Sequence, residues 1–544
     1  MTSMKHKGRI ERAIKALQER TFYAPYSENP KAYDAEADAQ GKEAFQKAMS
    51  NPFVGLNDDG NTGFIGEEVS PYMMVGLGAQ YPQFSIDTIM SRAKEARAEW
   101  SKMDVDKRAD LLIDMLDAIS KRFFELGYAT MHTTGQSFVM SFQASGPHAN
   151  DRAMESVALG YQELTRYTNE IDWVKPMGKF DLKIKKNFKS ISKGVGLVIG
   201  CSTFPTWNTV PGVFANLISG NSTVIKPHPK SIMPIAIVVA EMQKVLVENG
   251  LSPYTVQLAV DTVAKPITKD LAEHKDIKLI DYTGGTAFGD YIESIPGKTV
   301  FTEKAGVNSV ILESVKDPKA VFGNLAFSFS LYSGQMCTAP QNIFVPAEGI
   351  KTAEGHLSYD EVVEGLSKAV KGLAENPKMG AFVLGAIQND NTKSRVNDTI
   401  QALNASNLEA EVAHPEFADA RLLTPTVIGL DENDEHWKEE CFGPIVFVVK
   451  SSDPLKYAAE MAEHKGAITC LCYSTDESYM QEVEHTMNAV FTPVSFNFVG
   501  AAFVNQHAAF SDFHVSGGNP SGNASFTDAL YINRRFVWVG NRYA

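Results

Sequence analysis

At 544 residues the chain is too long for one simple core, and two or three domains are expected. A net charge of −14 excludes sequence-independent nucleic-acid binding, which runs on clustered Lys and Arg, and disfavours anionic membrane surfaces. Five cysteines (Cys201, Cys337, Cys441, Cys470, Cys472) fit a reducing compartment better than a disulfide framework. No window approaches the roughly 20 apolar residues of a membrane span, and the basic N-terminus lacks the apolar core of a signal peptide, so the cytoplasm is the expected location. The histidines are scattered without ligand spacing, and no metal site is expected.

In chain order, residues 8–20 and 86–125 have helical periodicity, with Ile86, Ile89, Met90 and Ala93 on one face. Residues 25–80, rich in Gly, Pro, Asn and Asp, read as an irregular surface extension. A long helix covers about 146–168. Then Lys179 to Ile191 alternates apolar with charged residues, as a half-exposed strand or hairpin does. Such a strand needs a pairing partner or a lysine-protected edge, and the pattern leaves both open.

From Val195 a regular alternation begins. Strands at 195–200, 223–225, 255–260 and 277–282 alternate with helices at about 208–219, 232–249 and 264–274, and a further helix starts after Gly284. This predicts a parallel, doubly wound sheet that binds its ligand at the carboxyl ends of the strands, in the Rossmann manner. A second alternation runs from about 307 to 500. Its strands fall at 309–312, 341–345, 445–450, 467–472 and 495–499, its helices at about 318–331, 359–374, 390–404 and 476–488. Cys470 and Cys472 read as one buried strand. Arg535 to Gly540 is a second exposed strand.

Cys337 follows a Gly334-Gln335 turn, and Glu303 stands 34 positions upstream among apolar and small residues. One exposed thiol and one poised carboxylate suggest a covalent thioester mechanism with a general base. A free cysteine can equally be a small buried hydrophobe. Thr283 to Gly289 places glycines between a strand and a helix, where a phosphate could approach the backbone. A plain tight turn would look the same. Lys226-Pro227, after a buried strand, is a candidate for ribose or phosphate contact, or a solvated lysine.

Taken in order, Lys226-Pro227, Thr283 to Gly289, Glu303, Gly334-Gln335-Met336-Cys337 and Glu439-Glu440-Cys441-Phe442-Gly443-Pro444 resemble the aldehyde dehydrogenase superfamily, from about residue 85 to the end. The long N-terminus and the run Phe510 to Pro520 look most like its phenylacetic acid degradation branch, the PaaN-type proteins. The resemblance implies an α/β fold with a Rossmann-type cofactor domain (81–168 and 194–304), a second α/β catalytic domain (305–510) and a small β oligomerisation element (169–193 and 526–544), after an N-terminal extension (1–80). It implies Cys337 as nucleophile and Glu303 as base. Glu440 would hold the nicotinamide ribose with Phe442 beside the ring, Lys226 would meet the adenosine ribose, and Gly285 and Thr286 would lie near the pyrophosphate. The cofactor implied is NADP or NAD. The reaction is oxidation of a small-molecule aldehyde, a semialdehyde either free or CoA-linked, in a homodimer or homotetramer.

Three positions depart from the pattern. The family's oxyanion asparagine is Thr203, for which nearby Asn208 or the Cys337 N–H could compensate. A common lysine nine positions on is Gly212. The acid expected after Lys226-Pro227 is Pro229, flanked by His228 and Lys230, and losing a carboxylate while gaining a base admits a 2′-phosphate, so that NADP is expected to be accepted. Two other readings remain: a CoA-acylating dehydrogenase, against which Glu303 stands, and a catalytically weak assembly protein with the same fold.

Overall fold

The computed structural model describes residues 4–405, 412–499 and 529–544. The run Phe510 to Pro520 lies outside them, as do parts of the segments 305–510 and 526–544. The chain opens with α1 (Lys7–Glu19), α2 (Ala37–Ala48) and the antiparallel pair β1 (Gly63–Ile65) and β2 (Tyr81–Gln83). Residues 25–80 are more than a surface cover. Phe45, Tyr72 and Leu77 are buried, and Phe45 stacks on the His132 ring at 4.9 Å. Their apolar anchors are spaced too widely to show a period. A layer of helices follows: α3 (Ile86–Trp100), α4 (Val105–Ser120), α5 (Phe123–Thr134), α6 (Phe138–Ser145) and α7 (Pro147–Thr165).

The first large sheet comprises β3 (Val195–Ile199), β4 (Ser222–Lys226), β5 (Val256–Leu258), β6 (Ile277–Thr283) and β7 (Thr299–Glu303). Between them run α8 (Val210–Ile218), α9 (Met233–Glu248), the short α10 (Thr268–Glu273) and α11 (Thr286–Ser294). All pairings are parallel and the order is β5-β4-β3-β6-β7. The chain therefore switches direction between β3 and β6, where an open α/β sheet leaves a crevice at the carboxyl ends. The strand β7, which ends on Glu303, was not expected from the sequence, because two threonines and an acid among five residues blur its apolar pattern.

The second sheet holds β8 (Ser309–Leu312), β9 (Asn342–Pro346), β10 (Thr426–Asp431), β11 (Ile445–Ser451), β12 (Cys470–Tyr473) and β13 (Val494–Phe496), all parallel, in the order β10-β11-β9-β8-β12-β13. Its helices are α12 (Pro318–Ser330), α13 (Tyr359–Ala374), α14 (Gly380–Leu384), α15 (Asp390–Ala402), α16 (Pro454–Lys465) and α17 (Glu477–Ala489). Two parallel sheets with flanking helices give the expected α/β architecture.

A third sheet stands apart, made of β14 (Glu170–Pro176), β15 (Asp181–Ser192) and the C-terminal β16 (Phe536–Tyr543). The alternating segment β15 is its central strand, antiparallel to both neighbours. Its pairing need is therefore met within the chain, and the free edges belong to β14 and β16. Among the described residues, no helix is long and apolar enough to cross a membrane.

Candidate active site

The switch-point crevice opens into a cavity of about 440 Å³. The loop after β3 contributes Cys201, Thr203 and Asn208, and the turn after β6 contributes Thr283, Gly284 and Gly285. Glu303, Cys337, Glu440 and Phe442 complete the wall. Six of the eight residues singled out from the sequence thus meet in one place.

The loop carrying Cys337 is built under strain. Tyr332 and Ser333 both sit in the left-handed region at φ 52°, followed by Gly334 at φ 65°. Non-glycine residues there cost about 1–2 kcal/mol each and persist only when their surroundings hold them. The Tyr332 hydroxyl donates to the Thr134 carbonyl (2.6 Å) and the Ser333 hydroxyl to that of Leu384 (2.7 Å). Gln335 donates to the Ala386 carbonyl (3.0 Å) and accepts from the Gln388 N–H (3.0 Å). Gly334 must be glycine, because a Cβ there would lie 2.3 Å from the Gly443 carbonyl oxygen. From the other side Asn308 donates to the carbonyls of Cys337 (2.7 Å) and Ala339 (3.1 Å) and accepts from the Ile468 N–H (3.0 Å). The nucleophile's backbone is fixed from both flanks.

The Cys337 thiol is hydrogen-bonded to the Glu303 carboxylate. Burial, then the charges of Glu303 and Cys201, push this thiol well above the usual range, while buried Arg152 pulls it down. The resting group is therefore a thiol donating to a carboxylate, and the proton has a defined acceptor. Thr203 lines the cavity, its carbonyl fixed by the Gln136 amide (2.8 Å).

Gly285 is the N-cap of α11, and no side chain caps that helix end. A Cβ on Gly285 would meet nothing within 4 Å, so an open space faces free main-chain N–H groups, a setting that suits a phosphate. Thr286, the first residue of α11, lines a neighbouring cavity, not this one. Burial raises the Glu440 carboxyl to about 7, against the pull of Arg395 and the Gly306 N–H.

Lys226 lies away from the cavity and is not solvated. It is buried in an ion pair with Asp261 at 2.6 Å, and the charge of Glu67 also reaches it. The carboxylate beside Lys226 is thus Asp261, from the loop after β5, while position 229 carries none. Gly212 has a similar explanation: a Cβ there would lie 2.8 Å from the Asp281 carboxyl carbon, and Asp281 is ion-paired with Arg535 at 2.6 Å. Asn308, Arg152, Asp261 and Arg535 carried no local signal in the sequence.

A doubly wound parallel sheet with a cysteine and a glutamate at its switch point is the architecture of a dinucleotide-dependent oxidoreductase. The chain belongs to the aldehyde dehydrogenase family, whose model matches residues 74–530. It is 40% identical to an NAD-dependent aldehyde dehydrogenase from Burkholderia multivorans of known crystal structure, with a TM-score of 0.95 over 99% of this chain and 98% of that one. It is 24% identical to a vanillin dehydrogenase from Corynebacterium glutamicum, over 74% of this chain and 80% of the relative. A 1-pyrroline-5-carboxylate dehydrogenase from Thermus with bound NAD shares the fold at a TM-score of 0.73 and 18% identity, over 96% of this chain and 100% of that one.

Proposed function

We propose that this chain oxidises an aldehyde to its carboxylic acid with NAD or NADP, using Cys337 as nucleophile and Glu303 as base. The hydrogen bond between the Cys337 thiol and the Glu303 carboxylate carries this reading. Glu303 removes the thiol proton, and the sulfur adds to the aldehyde carbon to give a thiohemiacetal whose oxygen meets the Thr203 hydroxyl. A bound nicotinamide ring supplies the hydride acceptor. The resulting Cys337 thioester is cleaved by a water that Glu303 activates, which releases the acid and frees the thiol. A base held on the thiol favours hydrolysis over transfer to CoA.

The residues present fit the cofactor. Gly285 and Thr286, at the uncapped start of α11, would receive the pyrophosphate, and Glu440 would accept from ribose hydroxyls with Phe442 beside the ring; the shared cavity lining of Gly285, Glu440 and Phe442 supports this. Lys226 is assigned to the adenosine ribose. Asp261 and Glu67 around it disfavour a 2′-phosphate, so NAD is the preferred acceptor. Steady-state kinetics with both cofactors test this, and a higher specificity constant for NADP would overturn it.

The substrate enters from the other side of Cys337. A second cavity of about 410 Å³ is walled by Met140, Trp207, Phe327, Leu331, Met336 and Phe382, and shares Phe204 with the first. Lys378 and His148 also line it. An apolar wall with a lysine and a hydrogen-bonding imidazole suits a semialdehyde with a hydrocarbon body and an anionic or polar far end, as ring opening in phenylacetate-type degradation supplies. The deciding experiment is a cofactor-reduction assay over free and CoA-linked semialdehydes, with Cys337→Ala and Glu303→Gln beside the parent. Loss of turnover in the first variant and accumulation of thioester in the second is the expected result. Full turnover by Cys337→Ala would end the proposal.

The third sheet supports a homodimer or homotetramer. Ile171 and Val174 on β14, and Val537 and Val539 on β16, are exposed apolar residues on strands with free edges. A monomer by light scattering at micromolar concentration would refute assembly. Five unbridged cysteines agree with a cytoplasmic setting.

A further inference from the structure

Cys201 has no part in the reaction proposed above, yet it lines the same cavity as Cys337. It packs against the apolar cluster of Phe204, Trp207, Tyr332 and Met336, the last being the residue before Cys337. Its sulfur is ringed by donors. Asn208 Nδ2 stands 3.4 Å away, and the main-chain N–H groups of Phe204 and Thr203 are hydrogen-bonded to it. Burial pushes the Cys201 thiol up, and these donors work against that. A cysteine that only fills space needs no converging donors. Each thiol also feels the Glu303 charge, so the two sulfurs and the carboxylate form one group.

We propose that Cys201 is the resolving thiol of a reversible redox site and closes a disulfide with Cys337 once a peroxide has oxidised the nucleophile. Glu303 takes the Cys337 proton, and the sulfur attacks one oxygen of hydrogen peroxide. The O–O bond breaks, hydroxide leaves as water after protonation, and Cys337 becomes a sulfenic acid. The Cys201 thiol then attacks the sulfenic sulfur, with Asn208 and the two N–H groups stabilising the negative charge that develops on it as its proton leaves. The S–O bond breaks, and the departing hydroxide takes up the proton from Cys201 to leave as a second water. Overall two thiols give up two electrons and two protons, and one peroxide becomes two waters. The disulfide keeps Cys337 from the irreversible sulfinic stage, and a dithiol reductant restores it.

The test treats the reduced full-length protein with hydrogen peroxide, blocks remaining thiols with iodoacetamide and analyses the digest by mass spectrometry. The parent is expected to yield a cross-linked peptide containing Cys201 and Cys337, lighter than the two reduced peptides by two hydrogens and abolished by dithiothreitol. In Cys201→Ser and Cys201→Ala, Cys337 is expected to advance to the sulfinic form, heavier by two oxygens, and dithiothreitol does not reverse it. The same rate of sulfinic formation in parent and variants, with no such cross-link in the parent, would overturn the proposal. So would a cross-link from Cys337 to Cys441, Cys470 or Cys472 in its place. The cross-link is read without substrate or cofactor, so it stands or falls apart from the turnover assay.

Discussion

Gln341 holds the main chain on both sides of Glu440: its amide nitrogen donates to the Glu439 carbonyl at 2.8 Å, and its amide oxygen accepts from the Cys441 N–H at 2.7 Å. One buried side chain thus sets where the Glu440 carboxylate sits, with Arg395 donating to the Phe442 carbonyl (3.1 Å) just beyond. Replacing Gln341 by Leu keeps the volume and leaves both backbone groups without a partner. The expected cost is about 2 kcal/mol of stability. If Glu440 holds the cofactor, its KM should rise roughly tenfold, which corresponds to about 1.4 kcal/mol. Iodoacetamide labelling of Cys337 should be unchanged. An unchanged cofactor KM would detach Glu440 from the cofactor.

Glu440 also makes a pH prediction. Its carboxyl titrates at about 7 in the folded chain, against 4.5 in the open. The accepting carboxylate therefore grows from about a tenth to about nine tenths of the population between pH 6 and pH 8. Cofactor KM should fall over that interval, and Glu440→Gln should flatten the profile. The stability effect has the opposite sign. Between pH 4.5 and 7 the native state keeps a proton that the unfolded chain has released, so stability present at low pH is lost as pH rises through 7. Thermal melts of Glu440→Gln should gain on the parent as pH increases. A constant difference from pH 5 to 8 would contradict the assignment.

The legible parts of this chain were those with local signals. Helix α13 could be bounded at both ends because Ser358 and Glu361 form a capping box and the apolar face repeats to Ala374. Helix α16 was missed although Asp453 caps it and Gly466 ends it, since small residues such as Ala458 and Ala462 weaken its apolar stripe. The chemical groups Cys337, Glu303 and Glu440 each sit in a short motif. The residues that hold them do not. Asn308 reaches Cys337 across 29 positions, and Gln341 reaches Cys441 across 100. An amide that bonds distant main chain looks like any other amide in sequence.

The N-terminal extension offers a separate test. Buried Glu68 accepts from the N–H groups of Ile232 (2.5 Å) and Met233 (2.8 Å) at the start of α9, and from the Tyr81 hydroxyl. It thereby supplies from far upstream the carboxylate that a helix N-terminus favours, a few residues beyond Lys226. Glu68→Ala leaves three buried donors, the Ile232 and Met233 N–H groups and the Tyr81 hydroxyl, without their acceptor and should cost about 3 kcal/mol, read as a lower denaturant midpoint. Glu68→Gln keeps one acceptor and should lose less. Equal stability of Glu68→Ala and the parent would show that the extension is not anchored here.

Arg535 and Asp281 carry the largest expected stability effect. The fully buried guanidinium donates to both Asp281 oxygens (2.8 and 2.6 Å), to the Asn216 amide oxygen (2.7 Å) and to the Tyr531 carbonyl (2.8 Å). It ties the start of β16 to β6. Arg535→Leu strands a buried carboxylate and should cost about 3–5 kcal/mol, whereas the Asp281→Leu, Arg535→Leu pair should recover part of that loss. Because the Asp281 carboxyl group fills the space in front of Gly212, Gly212→Ala should destabilise the parent and cost less beside Asp281→Ala, where the Asp281 Cβ at 3.1 Å is the contact that stays. Denaturant titrations of the four proteins give the coupling directly. Additive losses from Gly212→Ala and Asp281→Ala would mean that something other than the carboxylate excludes a side chain at position 212.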